Sequence, residues 1–471
     1  MPIALPEPKG RQRDVVFMRE EGHLVVLGTA GSGKTTMAMH RARHLAGLPE
    51  TGGRTLVVTY ANSLTSYMRR YLTTVEGVTV QTFHKFAFDY LERRRGRSGK
   101  GTIHRELRKN LIERALHEVR AGTEKPLRAV AERPLAFFDD EFKWMAGHAA
   151  TAHEDYVVNR VERVGRGRRL AAEDRAFVHR VYERYIELRG AYGHPYDYDD
   201  LATVLRTALE NDDSARWYRH IVIDEGQDLT PEMIRALAAA IPEDGSLTFF
   251  GDYAQQIYGS RMSWKQLGLD LVRGHRAEFS DNYRNSRSIS LLAQAIAESP
   301  HFKDEVDLVQ PRTPAADGPP PTVIACRTAE EQLKRAAEQA AKLSRTGRVA
   351  VLLRHWKHAE EFARRVAGLK PVKLQKDKIK RWPEDARLFY GAFHGAKGLE
   401  FDSVILPLCD AGEMPPAEEV EAHGLDEAQA RNARLLYVAV TRARSELILL
   451  HSGRLTGLLP GEESGLYLRG R

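Results

Sequence analysis

The run GTAGSGKT, residues 28–35, has the spacing G-x-x-x-x-G-K-[ST], between an apolar stretch and a segment of helical periodicity. Gly28, Gly31 and Gly33 let backbone N–H groups turn inward, so that with Ser32 and Thr36 they can cradle phosphate oxygens at a helix N-terminus. Lys34 supplies a point charge toward the β- and γ-phosphates, and Thr35 supplies a hydroxyl to Mg2+. A second chemical pair stands in HIVIDEGQDL, residues 220–229, where Asp224 and Glu225 close an apolar run. Carboxylates are costly to bury unless they have partners. A metal ion and solvent supply them if Asp224 holds the Mg2+ shell and Glu225 orients and deprotonates water. The two stretches together imply a Mg2+–nucleoside triphosphate chemistry, with Gln227 and Asp228 in the turn facing the next strand.

Elements of two kinds must position these groups. Apolar runs at 21–28, 54–60, 78–83, 220–225, 246–252 and 276–280 read as strands, and helical stretches separate the early ones. That alternation implies an α/β fold with a parallel sheet and crossover helices. From about 92 to 198 strand signals almost vanish. Val178, Val181, Tyr182, Tyr185 and Leu188 form one apolar helical stripe there, read as core. Two basic clusters, 92–100 and 161–170, lie in this helical region and suit either a solvated face or phosphate contact. After a Pro-rich connection at 309–321, a second α/β block carries strands at 322–327, 348–354, 387–393, 403–408 and 446–451.

The bulk properties agree with a multi-lobed globular chain. Its 471 residues exceed one ordinary core, and 42% hydrophobic with 29% charged residues describe a soluble protein. No run reaches the ~18 apolar residues of a membrane span, and the N-terminus lacks the apolar segment of a secretory signal. A cytoplasmic location is expected. Cys326 and Cys409 sit in apolar, strand-like runs and read as reduced core thiols. The formal charge of +7 is modest, so a nucleic-acid partner needs local support.

That support comes from further motifs. In order and spacing, the chain resembles superfamily 1 helicases of the UvrD/Rep type. DEGQD (224–228), GDYAQQIYG (251–259), NYRNS (282–286), HGAKGLEFD (394–402), LLYVAVTRAR (435–444) and QTFHKFA (81–87) each look like a motif of that family, as does Gln12 in GRQRDVV. The resemblance covers both α/β blocks. It implies two RecA-like lobes: lobe 1A from 1–91 and 200–280, a helical insertion 1B from 92–199, lobe 2A from 281–454, and a C-terminal tail from 455–471. It further implies Gln255 as a sensor of the γ-phosphate and Arg284 and Arg442 as arginine fingers from the second lobe. By the same analogy Tyr283 stacks on adenine, Gln12 reads its edge and Glu400 accepts a ribose hydroxyl. Thr82, Phe83, His84, Tyr258 and His394 fall where family members touch single-stranded DNA. The implied activity is ATP-driven translocation on single-stranded DNA or at single-strand/duplex junctions, with 3′-to-5′ polarity.

Three departures bear on unwinding. The family's base-stacking tryptophan has no counterpart at Ser260, and Trp264, four residues on, is the candidate substitute. Arg284 and His394 are only 110 positions apart, which leaves no room for the large insertion (2B) of bigger members. The segment SELILLHSGRLTGLLPG after Arg444 offers no evident aromatic for a strand-separating hairpin. A DNA-gated ATPase subunit of a repair or defence complex, acting on a protein partner, therefore stands beside the helicase reading. RNA stays open as the track, because phosphate and stacking contacts scarcely distinguish the sugars.

Overall fold

The structure, a computed structural model, describes residues 5–95, 102–123, 129–163, 169–252, 276–302, 316–374, 382–383 and 385–470. Two wholly parallel sheets dominate it. The first is built from β1 (Leu24–Gly28), β2 (Thr55–Thr59), β3 (Val78–Thr82), β4 (His220–Ile223), β5 (Ser246–Gly251) and β6 (Arg276–Phe279), in the order β3-β2-β4-β5-β1-β6. The second uses β7 (Thr322–Cys326), β8 (Val349–Leu353), β9 (Val372–Lys373), β10 (Leu388–Ala392), β11 (Phe401–Leu406), β12 (Ala443–Ser452) and β13 (Leu468–Gly470), in the order β13-β7-β12-β11-β8-β10-β9. Read from opposite ends, the two orders match strand for strand from β3/β10 to β6/β13. The α/β expectation of two related lobes holds.

Strands buried on both faces must be apolar along their whole length. In β1 the period of two sends Val25 and Leu27 to one face and Leu24 and Val26 to the other. The same division separates Ile221 and Ile223 from Val222 in β4, and in β8 it separates Ala350 and Leu352 from Val349, Val351 and Leu353.

The helical insertion has its own core between helices Arg105–Ala121, Leu135–Gly147 and Ala172–Ala191. Val178, Val181, Tyr185 and Leu188 are buried in it and Tyr182 packs at its margin, as the stripe predicted. The helix Phe83–Arg95 runs across the expected 91/92 boundary. A buried charge network ties the insertion's return to the first lobe. Arg108 meets Asp139, Asp197 and Asp199, while Arg189 meets Asp197 and Asp200.

Other expectations need correction. The segment read as a tail carries β13, which pairs with β7, and it buries Thr456, Leu458, Leu459 and Tyr467. In the basic cluster 161–170, Arg163 is buried and clamps the fully buried Glu141 at 2.6 Å, a structural pairing and not a phosphate contact. Both cysteines are free thiols. No helix among the described residues is long and apolar enough to cross a membrane.

The lobes meet along the helix Asn62–Leu72 of the first. Tyr67 touches Trp382 of the second edge to face at 5.8 Å, and Trp382 stacks on Phe389 at 5.6 Å. One turn earlier, Leu64 presses on Gly398 so closely that a Cβ there would stand 2.7 Å away.

Candidate functional site

All strands of a parallel sheet end on the same edge, and ligands of such folds bind at that carboxyl edge. β1 ends at Gly28, and the loop from Thr29 to Gly33 turns into the helix Lys34–Gly47. Gly31 and Gly33 hold φ of +78° and +83°, a region that disfavours any side chain. Lys34 is buried, and its ammonium donates to the Gly28 and Thr29 carbonyls at 2.8 and 2.7 Å. It also lies 3.6 Å from Asp252 Oδ2 at the end of β5. Burial lowers its pKa, against the pull of Asp252 and Glu225.

Asp224 follows β4 and is fully buried. Among the described residues neither carboxylate oxygen has a hydrogen-bond partner. Burial and the adjoining Glu225 carboxylate push its pKa up to about 7, against the nearby Thr35 hydroxyl and the Lys34 ammonium. Glu225 behaves oppositely. Burial disfavours its charge, yet Lys397, Lys34 and Arg442 together hold its pKa below the ordinary value. Its backbone sits at φ +53°, a strained setting for a non-glycine residue. Gln227 fixes the side chain, donating from Nε2 to Glu225 Oε2 at 2.6 Å while its Oε1 accepts from the Asp252 backbone N–H at 3.0 Å.

The second lobe closes the site from above. The segment 281–286 leaves β6 as a strap between lobes. The Tyr283 N–H donates to the Gly31 carbonyl at 2.9 Å, and Asn285 Nδ2 donates to the Thr441 carbonyl at 3.1 Å. Asn285 thereby anchors the turn carrying Arg284 to the turn carrying Arg442. Arg442 is buried, donating to the Val438 carbonyl at 3.0 Å, and its pKa is lowered to about 10 by burial and by Arg284. Lys397 crosses to Asp228 Oδ1 at 2.5 Å.

Two nucleotide assignments sit differently from the expectation. Glu400, the residue expected at a ribose, pairs with Arg284 at 2.6 Å. Gln12 is buried, and its amide donates to the Ser32 carbonyl at 2.9 Å while its oxygen accepts from the Lys9 N–H. It braces the phosphate loop. Tyr283 is 56% exposed beside that loop.

The residues fit a Mg2+–nucleotide. Asp224 offers two buried carboxylate oxygens, and Ser32 and Thr29 offer buried hydroxyls, all without hydrogen-bond partners among the described residues. Thr35 and Thr36, half-buried in the first helical turn, adjoin them. Gly31, Ser32, Gly33, Lys34, Thr35, Glu225 and Arg284 enclose a space of about 10 Å³. That is room for one water. A triphosphate needs more room than this arrangement leaves.

Gln255, Tyr258 and Trp264 lie outside the described residues. Of the other expected DNA contacts, Phe83 is a correction: it is fully buried in the core below the first sheet. Thr82 is buried and caps the helix Phe83–Arg95, accepting from the Lys85 N–H at 3.3 Å. His84 is half-buried, edge-on to Tyr60 at 6.0 Å and to Tyr198 at 5.6 Å, and Tyr198 is 51% exposed. His394 is exposed, 6.5 Å from Trp356. Asp252, Lys397, Asn285, Tyr60 and Tyr198 were missed by sequence reasoning. Asp252, Lys397 and Asn285 stand inside quoted motifs, so the signal was present.

Comparison with known proteins bears on the whole chain. Residues 9–270, more than half of it, match the UvrD/REP helicase N-terminal domain, and residues 366–453 match the UvrD-like helicase C-terminal domain. The chain is 28% identical over 311 residues to the ATP-dependent DNA helicase UvrD2 of Mycobacterium tuberculosis, covering 61% of this chain and 42% of that protein. It is 24% identical to DNA helicase IV of Escherichia coli, covering 90% of this chain and 65% of the relative. The ATP-dependent DNA helicase PcrA of Leuconostoc citreum is 24% identical, with 59% and 37% covered. The chain thus spans about two-fifths of the length of its mycobacterial relatives.

Proposed function

The chain belongs to the UvrD/REP helicase family, and from that premise we propose that it is an ATP-driven motor on single-stranded DNA, moving 3′ to 5′. One observation carries this reading. The phosphate loop and Glu225 of the first lobe share a single enclosed space with Arg284, whose turn Asn285 anchors to the second lobe.

In this reading the loop N–H groups and Lys34 hold the triphosphate. Glu225, kept ionised by cations from both lobes, takes the proton of the attacking water. Thr35 and Asp224 would hold Mg2+, which would supply neutralisation of phosphate charge. Arg284 and Arg442 meet the charge that develops on the transferred phosphoryl group. Because they and Lys397 depend on the second lobe's position, hydrolysis requires closure, and closure moves the DNA-facing edges relative to each other. That coupling turns hydrolysis into movement.

A second reading, a DNA-gated ATPase acting on a protein partner, draws support from the short connection between β9, ending at Lys373, and β10, starting at Leu388. Steady-state ATPase with and without oligo-dT, with Lys34→Ala as the blank, tests the first. Strong stimulation supports a motor on DNA, whereas DNA-independent turnover favours the second reading. Strand displacement by the purified protein then separates unwinding from partner-directed work.

A further inference from the structure

The helix Leu135–Gly147 of the insertion carries three consecutive acids, Asp139, Asp140 and Glu141. Successive side chains on an α-helix point about 100° apart, so the three leave in different directions. Asp139 pairs with Arg108 at 2.9 Å, in the network at the insertion's root. Glu141 turns to the insertion's core, where Arg163 and the Tyr156 hydroxyl donate to it at 2.6 and 2.7 Å. Those two acids fix the helix within the insertion. Asp140, between them, reaches out of it.

Its partner is Arg431 of the second lobe, which donates to Asp140 Oδ2 at 2.8 Å and to Glu427 at 2.9 Å. The buried His423 imidazole stands 3.2 Å from the same Asp140 oxygen. Arg431 lies on the helix Leu425–Val440, and the next residue, Asn432, is fully buried. Asn432 Oδ1 accepts from Nε of Arg354, just beyond β8, at 2.7 Å. One residue thus ties this helix to the lobe's own sheet, and its neighbour ties it to the insertion. Nine residues on from Arg431, about 14 Å of helical rise, the helix ends and the turn to Arg442 begins.

The other end of Leu135–Gly147 rests on the first lobe. A Cβ at Gly147 would stand 2.9 Å from Thr230 Cγ2, so the helix comes very close there. Thr230 caps the helix Pro231–Ala239, accepting from the Met233 N–H at 3.3 Å, and follows Asp228 by two residues. The insertion therefore spans the seam. One contact adjoins the acidic turn of the first lobe, and the other is on the helix that leads to Arg442.

We infer that Asp140 and Arg431 are positioning residues for hydrolysis, a clasp through which the helical insertion holds Arg442 in register with the phosphate loop. The inference rests on the role given to Arg442 above. The clasp acts along the helix Leu425–Val440. Displacing the insertion would loosen that helix and slow hydrolysis without altering nucleotide binding.

A contact that only stabilises the fold would change the melting temperature and leave the chemical step alone. Single-turnover ATP hydrolysis by the full-length protein with saturating oligo-dT separates the two, alongside nucleotide Kd and melting temperatures. Asp140→Asn is expected to slow hydrolysis roughly 2- to 30-fold, with Kd unchanged. Arg431→Gln repeats the test from the other side of the clasp. In an Arg442→Lys background, Asp140→Asn should slow the step no further. Wild-type rates in folded Asp140→Asn and Arg431→Gln overturn the clasp and leave the motor reading intact. So does an equal slowing in both backgrounds, since the effect would then bypass Arg442. Undiminished hydrolysis in Arg442→Lys alone overturns the finger assignment and the clasp with it.

Discussion

Lys397 of the second lobe donates to Asp228 of the first across 2.5 Å, and both side chains are buried. Among the charges that hold the Glu225 pKa down against burial, the same ammonium is the largest. The readiness of the proposed base therefore depends on the position of the other lobe.

Removing that charge has a signed consequence. Glu225 must be ionised to take a proton, and without Lys397 its pKa rises. In Lys397→Met the acidic limb of the kcat–pH profile is expected to move to higher pH. Breaking the buried pair also costs roughly 3–5 kcal/mol of stability, which Asp228→Asn in the same chain should largely restore. The limb should stay displaced in that double variant. A limb that returns with stability would show that Lys397 acts through folding alone.

The two arginines make a kinetic prediction. Arg442 is held by backbone carbonyls and Arg284 by Glu400, so neither needs nucleotide to keep its place. Arg442→Lys keeps a charge and loses the planar fork. Single-turnover hydrolysis is expected to fall by about 10³, with nucleotide Kd changed only a few-fold. Equal losses in hydrolysis and affinity would count against a role confined to the transition state.

Gly31 is sensitive to a single methyl group. A Cβ there would stand 2.1 Å from Asn282 Oδ1 and 2.8 Å from Arg284 Cβ, on a backbone already at φ +78°. Gly31→Ala is expected to push the strap away and abolish ATPase, with a stability loss of about 1 kcal/mol or more. Normal turnover in this variant would mean that the strap need not approach the loop during hydrolysis.

The network at the root of the helical insertion predicts a pH-dependent stability. Asp139, Asp197, Asp199 and Asp200 face Arg108, Arg189 and Lys143 there. Burial, with Asp197 adding to it, raises the Asp200 pKa to about 7, against the pull of Arg189. The folded protein thus binds a proton that the unfolded chain releases near pH 4. This contribution is complete below that pH and is lost as pH rises to about 7. Urea titrations from pH 4 to 8 should show Asp200→Asn losing less stability over that window than wild type; parallel curves would refute the assignment.

The phosphate loop and the acidic pair were legible because their chemistry depends on contiguous spacing, and the strands because burial on both faces demands unbroken apolar runs. What escaped depends on direction or on distant partners. Phe83 and His84 are neighbours on one helix, and nothing local says that the first enters the core while the second faces outward. Lys397 finds its partner 169 residues away. Glu400 was read for a ligand and is held by Arg284. β13 is three residues long, and only its register against β7 makes it a strand.

The contact between Tyr67 and Trp382 gives the protein an optical gauge of its own. Trp382 is one of five tryptophans, buried at the seam, and its indole N–H has no hydrogen-bond partner among the described residues. Its emission should be blue while the lobes are together. Parting them separates Tyr67 from the indole and admits water, and the emission shifts to the red. The lobe cycle can thus be followed in unlabelled protein, with Trp382→Phe as the dark control.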